Sequence, residues 1–350
     1  MQMSFKKYTT KDIARLADVS RGTVDRVLHG RGKVSEAAEK KVKQILMEID
    51  YRPNVIARTL RDNKIIHIAT LIPSPEIDSY WKKPKIGIAK AFSSYNSFGV
   101  NVIQHFYDQN DPTSFEKVAQ QVIDSNPDGV LTAPLFKKEA LDFFRKCEKL
   151  NLPYTTFNTD IPTSNYACFI GQNLYQSGRI AADLLYKSQP EIRKILIFHF
   201  DEEISNSPHM QEKERGFKDY LREQGIKNSC FDTFNLTDKN YKDLKGILST
   251  SLKEEKVSGI FVTTSKAYEV ATLINTDNKD FTLIGYDLVE NNVAYLKSGH
   301  IDYLINQNPK KQAFQGIHYL TELLVFKNEI PKKELLPIDI ITKENIQTYL

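Results

Sequence analysis

The chain has 350 residues, of which 41% are hydrophobic and 26% charged, and its formal net charge is +4. This composition is typical of a soluble protein with more than one hydrophobic core, and it excludes a membrane-spanning protein because no run of about 18 apolar residues is present. The N-terminal residues lack the apolar region of a secretory signal, and Cys147, Cys168 and Cys230 form no paired motif, so we expect a cytoplasmic protein with reduced thiols.

The first predicted unit is basic. Residues 1–64 carry 15 basic and 8 acidic side chains, a net charge of +7, whereas the rest of the chain carries 33 basic and 36 acidic side chains, a net charge of −3. This asymmetry favours a polyanion as the partner of the first unit. A solvated basic tail is the alternative, but the apolar residues of this segment are spaced as in folded helices.

Three short helices are predicted in the basic unit. Thr9 or Thr10 caps a helix that begins near Lys11, Ser20 caps a second helix and Ser35 caps a third. The second and third helices each have an apolar inner face, formed by Val24, Val27 and Leu28 and by Val42, Ile45, Leu46 and Ile49. Two short helices joined by a tight turn are typical of a helix-turn-helix, in which neighbouring helices hold the second helix outward.

The outer face of the second helix has the chemistry of a DNA contact surface. Arg21 and Arg26 can make paired hydrogen bonds to guanine in the major groove, and His29 is placed to reach a phosphate. Asp25 either accepts from a cytosine amino group or pairs with a nearby arginine. Beyond Pro53, a further short helix over 54–61 has apolar residues that find no partner within its own unit.

The segment 9–61 resembles the N-terminus of lac-repressor-type (LacI/GalR) transcription regulators. The match rests on the order D-I-A-x-x-A-x-V-S-x-x-T-V-x-R-V-L, then V-S, then Y-x-P-N-x-x-A-x-x-L. The resemblance implies that the second helix binds operator DNA, and that the 54–61 helix pairs with its dimer mate and inserts Leu60 into the minor groove. The predicted DNA-contacting residues are Thr10, Ser20, Arg21, Gly22, Thr23, Arg26, His29, Tyr51, Asn54, Ala57 and Leu60.

After residue 64, short apolar runs alternate with amphipathic segments. The predicted strands lie at 65–72, 100–106, 129–133, 166–170, 194–200, 259–264 and 281–287, and the predicted helices at 113–125, 137–149, 174–188, 210–224 and 240–254. This alternation favours parallel sheets covered by helices on both faces. More than 280 residues exceed one doubly wound sheet, so two α/β lobes are expected.

Polar and aromatic residues follow the predicted strands, where ligands bind in open α/β sheets. Each of them could instead cap a helix. Together they favour a polyol-binding pocket, since carboxylates and amides bond hydroxyl groups and aromatic rings cover C–H faces. The strand-end candidates are Tyr80, Trp81, Asp108, Asn158, Asp160, Asn173, Thr264, Asp287 and Gln307.

The segment 65–350 also resembles the type I periplasmic-binding-protein fold, closest to ribose- and galactose-type binders. The resemblance rests on LIGYD at 283–287, GQNLYQSG at 171–178, ERGF at 214–217 and NQNP at 306–309. It implies a sugar site that includes Tyr80 or Trp81, Asp160, Asn173, Asp287 and Gln307. It also places a ligand-binding arginine of such proteins near Gln211, which can bond a ligand hydroxyl but cannot form a guanidinium fork. Gln211 is therefore the tenth predicted effector-binding residue.

The predicted fold is α/β, with an all-α helix-turn-helix head and a two-lobed, parallel-sheet body. The head covers 1–53, the hinge helix and linker 54–64, and the effector domain 65–350. Within that domain, one lobe takes about 65–172 and 308–337, and the other takes about 173–307 and 338–350.

The predicted function is DNA-binding transcriptional regulation, with repression as the expected sense, controlled by a small sugar-like effector bound between the lobes. A homodimer, rather than a pair of dimers, is expected, because no C-terminal leucine heptad follows Leu336. The alternative is a cytoplasmic sugar-binding protein or sugar-processing enzyme with an unrelated basic head. No catalytic motif and no metal-ligand spacing is present. We therefore expect no enzymatic activity, no cofactor and no catalytic or metal-binding residues.

Overall fold

The computed structural model describes residues 8–29, 32–49, 65–161, 164–201, 204–237, 240–254, 256–275 and 279–350. The chain divides into two compact units, Met1–Arg61 and Asp62–Leu350. The predicted 54–61 helix lies outside the described residues. No described helix is long and apolar enough to cross a membrane.

Three helices form the N-terminal unit, as predicted: α1 (Thr10–Leu16), α2 (Arg21–His29) and α3 (Glu36–Glu48). Thr9 caps α1 in a reciprocal arrangement, because its hydroxyl accepts from the Asp12 N–H and the Asp12 carboxylate accepts from the Thr9 N–H. Ser35 caps α3 by accepting from the N–H of Ala38. Residues with short polar side chains therefore begin the helices where the sequence places them.

A tight turn between α1 and α2 depends on Asp18. This residue has a φ of 52°, in the left-handed region that aspartate tolerates better than most residues. The reversal brings Val24 of α2 onto Ile13 of α1 and Val42 of α3, and all three side chains are fully buried. The packing holds α2, which is too short to be stable alone.

The first lobe of the second unit contains a six-stranded parallel sheet. Its spatial order is β11-β5-β4-β3-β1-β2. The strands are β1 (Ile66–Pro73), β2 (Val100–Tyr107), β3 (Gly129–Thr132), β4 (Tyr154–Phe157), β5 (Cys168–Gly171) and β11 (Lys333–Leu335). The helices of this lobe are α4 (Lys82–Tyr95), α5 (Pro112–Asp124), α6 (Lys137–Lys149) and α12 (Pro309–Thr321).

The second lobe repeats the plan with the order β12-β10-β9-β8-β6-β7, in which β12 alone is antiparallel to its neighbour. Its strands are β6 (Lys194–Phe200), β7 (Phe231–Leu236), β8 (Val257–Val262), β9 (Thr282–Tyr286), β10 (Tyr303–Asn306) and β12 (Asp339–Ile341). Its helices are α7 (Leu174–Ser188), α8 (Pro208–Glu223), α9 (Leu244–Glu254), α10 (Ala267–Ala271) and α11 (Glu290–Lys297). The predicted two-lobed α/β architecture is confirmed.

Three connections join the lobes, after β5, after β10 and after β11. Gln172, in the first connection, ties all three together. Its side-chain N–H groups donate to the carbonyl of Asn306 at 3.0 Å and to the carbonyl of Pro337 at 2.6 Å. One buried amide therefore fixes the spacing of the three segments about which the lobes would move.

Candidate functional site

The outer surface of α2 presents most of the predicted DNA-contacting residues of the head that the structure describes. Ser20, Arg21, Gly22 and Arg26 are exposed, and Thr23 is half-buried. The Ser20 hydroxyl lies 2.9 Å from the Thr23 hydroxyl and accepts from the Thr23 N–H at 3.0 Å. Ser20 therefore caps the N-terminus of α2, as predicted, because its hydroxyl bonds one of the first N–H groups of the helix.

Arg26 is oriented by its own helix, because its Nε–H donates to the Gly22 carbonyl at 3.2 Å. Among the described residues, a side chain at Gly22 would meet nothing closer than the Arg26 and Ser20 side chains at 3.8 Å, so these neighbours do not require glycine there. Thr10 is half-buried in α1. Several predicted DNA contacts fall outside the described residues, namely the side chain of His29 and all of Tyr51, Asn54, Ala57 and Leu60.

A cavity lies where the carboxyl ends of the two sheets of the second unit face each other. Loops after eight of the strands, together with α8, form its wall, which agrees with the general location of ligands in open α/β sheets. The lining residues are Asp78, Tyr80, Trp81, Gln109, Leu135, Asn158, Phe200, Asp201, His209, Lys213, Thr264, Ser265, Asp287 and Gln307.

Three strand ends present polar side chains to this cavity through the same backbone conformation. Asn158, Asp201 and Asp287 directly follow β4, β6 and β9, and their φ angles are 69°, 74° and 65°. A left-handed residue reverses the chain at once, and asparagine and aspartate adopt this conformation at the lowest cost after glycine. Because non-glycine residues with such φ angles cluster at binding sites, the repetition is itself a signal of function.

The wall from the first lobe is pre-organised by buried hydrogen bonds. The Trp81 indole N–H donates to the Gln109 side-chain oxygen at 2.8 Å, and the Gln109 amide donates to Asp78 at 3.1 Å. On the same wall, the side-chain amide of Asn158 donates to the Tyr80 hydroxyl at 2.6 Å. These bonds hold two aromatic rings and two amides in fixed positions, as a selective pocket requires.

The wall from the second lobe is centred on Asp287, which is only 2% exposed. Its carboxylate accepts from the backbone N–H of Gln307 at 3.0 Å and from the Gln307 side-chain amide at 2.5 Å. Burial raises the pKa of this carboxyl group to about 6, against the opposing effects of Lys213 and of the two bonds from Gln307. Asp287 is therefore mainly ionised at neutral pH in a site that disfavours its charge.

Two basic side chains from α8 complete this wall. The Lys213 ammonium donates to the Thr263 carbonyl at 2.9 Å and lies 3.7 Å from the centre of the Tyr286 ring. His209 is also buried, and its pKa lies well below the usual value because of burial, the charge of Lys213 and the proximity of His199. The histidine is therefore neutral at physiological pH.

A hydrogen bond crosses the cavity from one lobe to the other. The Gln109 amide, from the first lobe, lies 3.4 Å from the carboxylate of Asp201 in the second lobe. Asp201 in turn pairs with Lys266 at 2.7 Å. Since a ligand that entered here would contact both lobes, it could change their relative positions.

The structure brings six of the ten predicted effector-binding residues into this cavity: Tyr80, Trp81, Asn158, Thr264, Asp287 and Gln307. Asp108 does not line it, because its carboxylate accepts from the N–H of Asn110 within its own loop. The other three, Asp160, Asn173 and Gln211, line a separate cavity.

Local bonds explain that separate placement. Asp160 pairs with Lys333 at 2.6 Å, and Asn173 caps α7 by accepting from the N–H of Gln176. Gln211 donates its amide to the carbonyl of Ile204. The cationic residue that reaches the main cavity from α8 is Lys213, two positions beyond Gln211.

Sequence reasoning missed several lining residues, including Asp78, Gln109, Asp201, His209 and Lys213. Asp78 and Gln109 were within reach of the pattern, because Asp78 lies in the polar segment after β1 and Gln109 follows Asp108 after β2. Lys213 and His209 lie on a helix, and only the packing of that helix directs them into the cavity.

Comparison with known proteins matches two segments of the chain to families. Residues 9–54 match the family described as bacterial regulatory proteins, lacI family, and residues 68–328 match the periplasmic binding protein domain. A sucrose operon repressor of Streptococcus mutans is 26% identical, over 96% of this chain and 98% of its own length. A ribose operon repressor of Halalkalibacterium halodurans is 25% identical, over 80% of each chain.

A solved structure of a candidate LacI transcriptional regulator from Bacteroides fragilis has a similar fold. Its TM-score is 0.76 and its sequence identity is 33%, and the match covers 82% of this chain and all of that one. The two proteins are therefore similar in both sequence and fold over most of this chain.

Proposed function

Because the chain belongs to the lacI family of bacterial regulatory proteins, we propose that it represses transcription until a small sugar-like effector binds between its two lobes. The prediction that the chain is a DNA-binding transcriptional regulator is confirmed by its family and by relatives named as operon repressors. The alternative, a binding protein or enzyme with an unrelated basic head, is not favoured.

The head is the DNA-binding part of the proposal. Its α2 helix is held outward by the buried contacts of Val24, and it presents Arg21 and Arg26 on its exposed face. We place the head at 1–53, and the hinge helix with its linker at 54–64. Arginine forks on an exposed helix fit guanine edges in the major groove, and affinity from phosphate neutralisation falls steeply with salt.

The cavity between the lobes is the effector site of the proposal, and its polarity is the observation that carries this assignment. Asp287, Asn158, Gln109 and Gln307 supply oxygens and amides, and Trp81 supplies an aromatic wall. Such a lining bonds the hydroxyl groups of a sugar and covers its apolar faces. The names of the operon repressors that this chain resembles point to the same ligand class.

The effector acts by moving one lobe against the other. A ligand that bonds Gln109 on one side and Asp201 on the other replaces or extends the direct bond between them. The resulting shift would alter the pairing of the 54–61 helices in a homodimer, a coupling of about 1–3 kcal/mol per site. We place this regulator in the cytoplasm, where it meets both operator DNA and imported sugars.

The proposal is tested by selection of binding sequences from a random duplex library with the full chain. We expect enrichment of a pseudo-palindrome with two half-sites, and loss of the complex when one member of a sugar panel is added. Failure to enrich any sequence at low salt would contradict the DNA-binding assignment.

A parallel assay separates the effector from a substrate. The sugar that releases DNA is incubated with the protein and recovered by chromatography, and we expect it unchanged. Turnover of the sugar, without any effect on DNA binding, would instead support the enzyme hypothesis.

A further inference from the structure

We propose that the effector is an uncharged polyol, and that the cavity between the lobes excludes phosphorylated or carboxylated forms of the same compound. The inference rests on the proposed function of this cavity as the effector site. It adds a chemical class of ligand, and it follows from the balance and the engagement of the charges in the wall.

Carboxylates dominate the charged groups that line the cavity. Asp78, Asp201 and Asp287 contribute three, whereas Lys213 contributes the single ammonium group among the lining residues of the described chain. His209 adds no positive charge, because its burial keeps the ring neutral. The wall is therefore net negative, and an anionic ligand would meet like charges.

The ammonium groups of Lys213 and Lys266 already have protein partners. Lys213 donates to the Thr263 carbonyl at 2.9 Å and lies over the Tyr286 ring. Lys266 pairs with the Asp201 carboxylate at 2.7 Å. Within the part of the chain that the structure describes, no arginine lines the cavity, so the guanidinium fork that usually recognises phosphate or carboxylate is missing.

Hydroxyl groups fit this wall, and phosphate oxygens do not. A carboxylate only accepts hydrogen bonds, and each one offers about four lone-pair sites. Asp78 accepts from the Tyr80 N–H and the Gln109 amide, and Asp201 accepts from Gln109 and Lys266, so both carboxylates act as hydrogen-bond acceptors, the role that the O–H groups of a polyol need. A phosphate dianion has acceptors alone, so its oxygens would lie against carboxylate oxygens in a desolvated site.

Binding of matched pairs of compounds tests the inference. D-ribose, D-galactose and D-glucose are each titrated calorimetrically beside ribose 5-phosphate, galactose 1-phosphate and glucose 6-phosphate, with the full chain at neutral pH. We expect at least one neutral sugar to bind, and its ester to bind more than about a hundredfold more weakly, the scale of like-charge exclusion.

The outcomes are distinct. A phosphate ester that binds as tightly as its parent sugar, or more tightly, overturns the inference and leaves the proposed function intact. If no compound of either kind binds or releases operator DNA, the proposed function fails and the inference falls with it.

Two variants locate the selectivity. Asp201→Asn frees Lys266 from its partner. We expect the ratio of the affinity for the neutral sugar to the affinity for its phosphate ester to fall by about tenfold or more. Asp78→Asn, in the other lobe, tests the same charge balance if the first variant is unstable. Asp124→Asn, at the exposed end of α5, is the control and should leave the ratio unchanged. An unchanged ratio in both cavity variants, with folding verified by circular dichroism, overturns the assignment.

Discussion

Gln307 holds both oxygens of the buried Asp287 carboxylate, with its backbone N–H on one and its side-chain amide on the other. Even so, the pKa of Asp287 is raised to about 6, because burial outweighs these bonds. The charge is therefore kept at a cost to the folded state. A ligand whose hydroxyl groups bond the carboxylate would recover part of that cost.

Asp287→Asn should stabilise the ligand-free protein at neutral pH and abolish its response to the effector. The folded state binds the Asp287 proton more tightly than the unfolded chain, so this group's stabilising contribution is lost as pH rises from about 4 to about 6. A pKa of about 6 in the folded state, in place of the ordinary 3.8, corresponds to about 3 kcal/mol of unfolding free energy at neutral pH, before allowance for the altered hydrogen bond to Gln307. Urea denaturation at about pH 4 and pH 7.5 measures the difference between variant and parent, which should appear only at the higher pH. A variant less stable than the parent at both values would show that the carboxylate is net stabilising.

Effector affinity should fall as the pH drops below about 6. Protonation of Asp287 removes acceptor sites for ligand hydroxyl groups, so the Kd should rise about tenfold between pH 7 and pH 5. Burial and the charge of Lys213 lower the pKa of His209 well below 6.5, which favours the neutral ring. Calorimetric titration across this range measures the effect. A flat profile in the parent protein would separate ligand binding from the charge of Asp287.

The packing of α7 against α8 depends on two glycines that allow the backbones to touch. A Cβ atom on Gly216 would lie 1.9 Å from the Tyr175 carbonyl oxygen, and one on Gly178 would lie 1.9 Å from the Lys213 carbonyl oxygen. Gly216→Ala should therefore force the helices apart, cost about 3 kcal/mol of unfolding free energy and weaken effector binding through Lys213.

Gly246→Ala is the matched control for that substitution. Gly246 lies in α9. Apart from its chain neighbours and the backbone of α9, no atom of the described residues lies within 4 Å of the position that a Cβ atom would take there, so alanine should be neutral or stabilise by up to about 1 kcal/mol. Chemical denaturation of both variants gives the comparison. Similar midpoints for the two would contradict the close approach of α7 and α8.

Much of the fold could be predicted because local signals agree with tertiary packing. The helices at 137–149 and 174–188 lie where the apolar spacing places them. The edge strand β7 (Phe231–Leu236) was missed because its half-exposed side chains alternate poorly. The strands β11 (Lys333–Leu335) and β12 (Asp339–Ile341) were missed because three residues carry too short a pattern.

The site was harder to predict than the sheets. A polar residue directly after an apolar run indicates the end of a strand, and this pattern predicts Asn158, Asp287 and Gln307 as pocket residues. The same rule cannot tell a pocket residue from a helix cap, as Asn173 shows. Lys213 gives no local signal, because the long-range packing of α8 alone decides where its ammonium group lies.

Gln172→Leu should loosen the connections between the lobes. The substitution removes the bonds to the Asn306 and Pro337 carbonyls, and we expect a loss of about 1–3 kcal/mol in stability together with weaker effector binding. Gln315→Leu is a suitable control, because Gln315 bonds Glu334 within the first lobe. Calorimetry should show that only the Gln172 variant changes the effector Kd. Equal effects of both substitutions on the Kd would exclude a role for Gln172 in the coupling.

Arg21→Ala should weaken specific operator binding by about 1–3 kcal/mol, because it removes a cationic side chain from the exposed start of α2. Lys41→Ala, on the exposed face of α3, removes the same charge away from α2 and should change affinity much less.

Fluorescence anisotropy on the duplex selected by the parent protein, from about 50 to 200 mM salt, separates base contacts from phosphate contacts. Loss of a base-reading arginine lowers the affinity for the selected duplex more than the affinity for a scrambled one. Loss of a phosphate contact lowers both affinities equally and reduces the slope of affinity against salt concentration. If Arg21→Ala and Lys41→Ala have the same effect on both duplexes at every salt concentration, α2 is not the surface that recognises the operator.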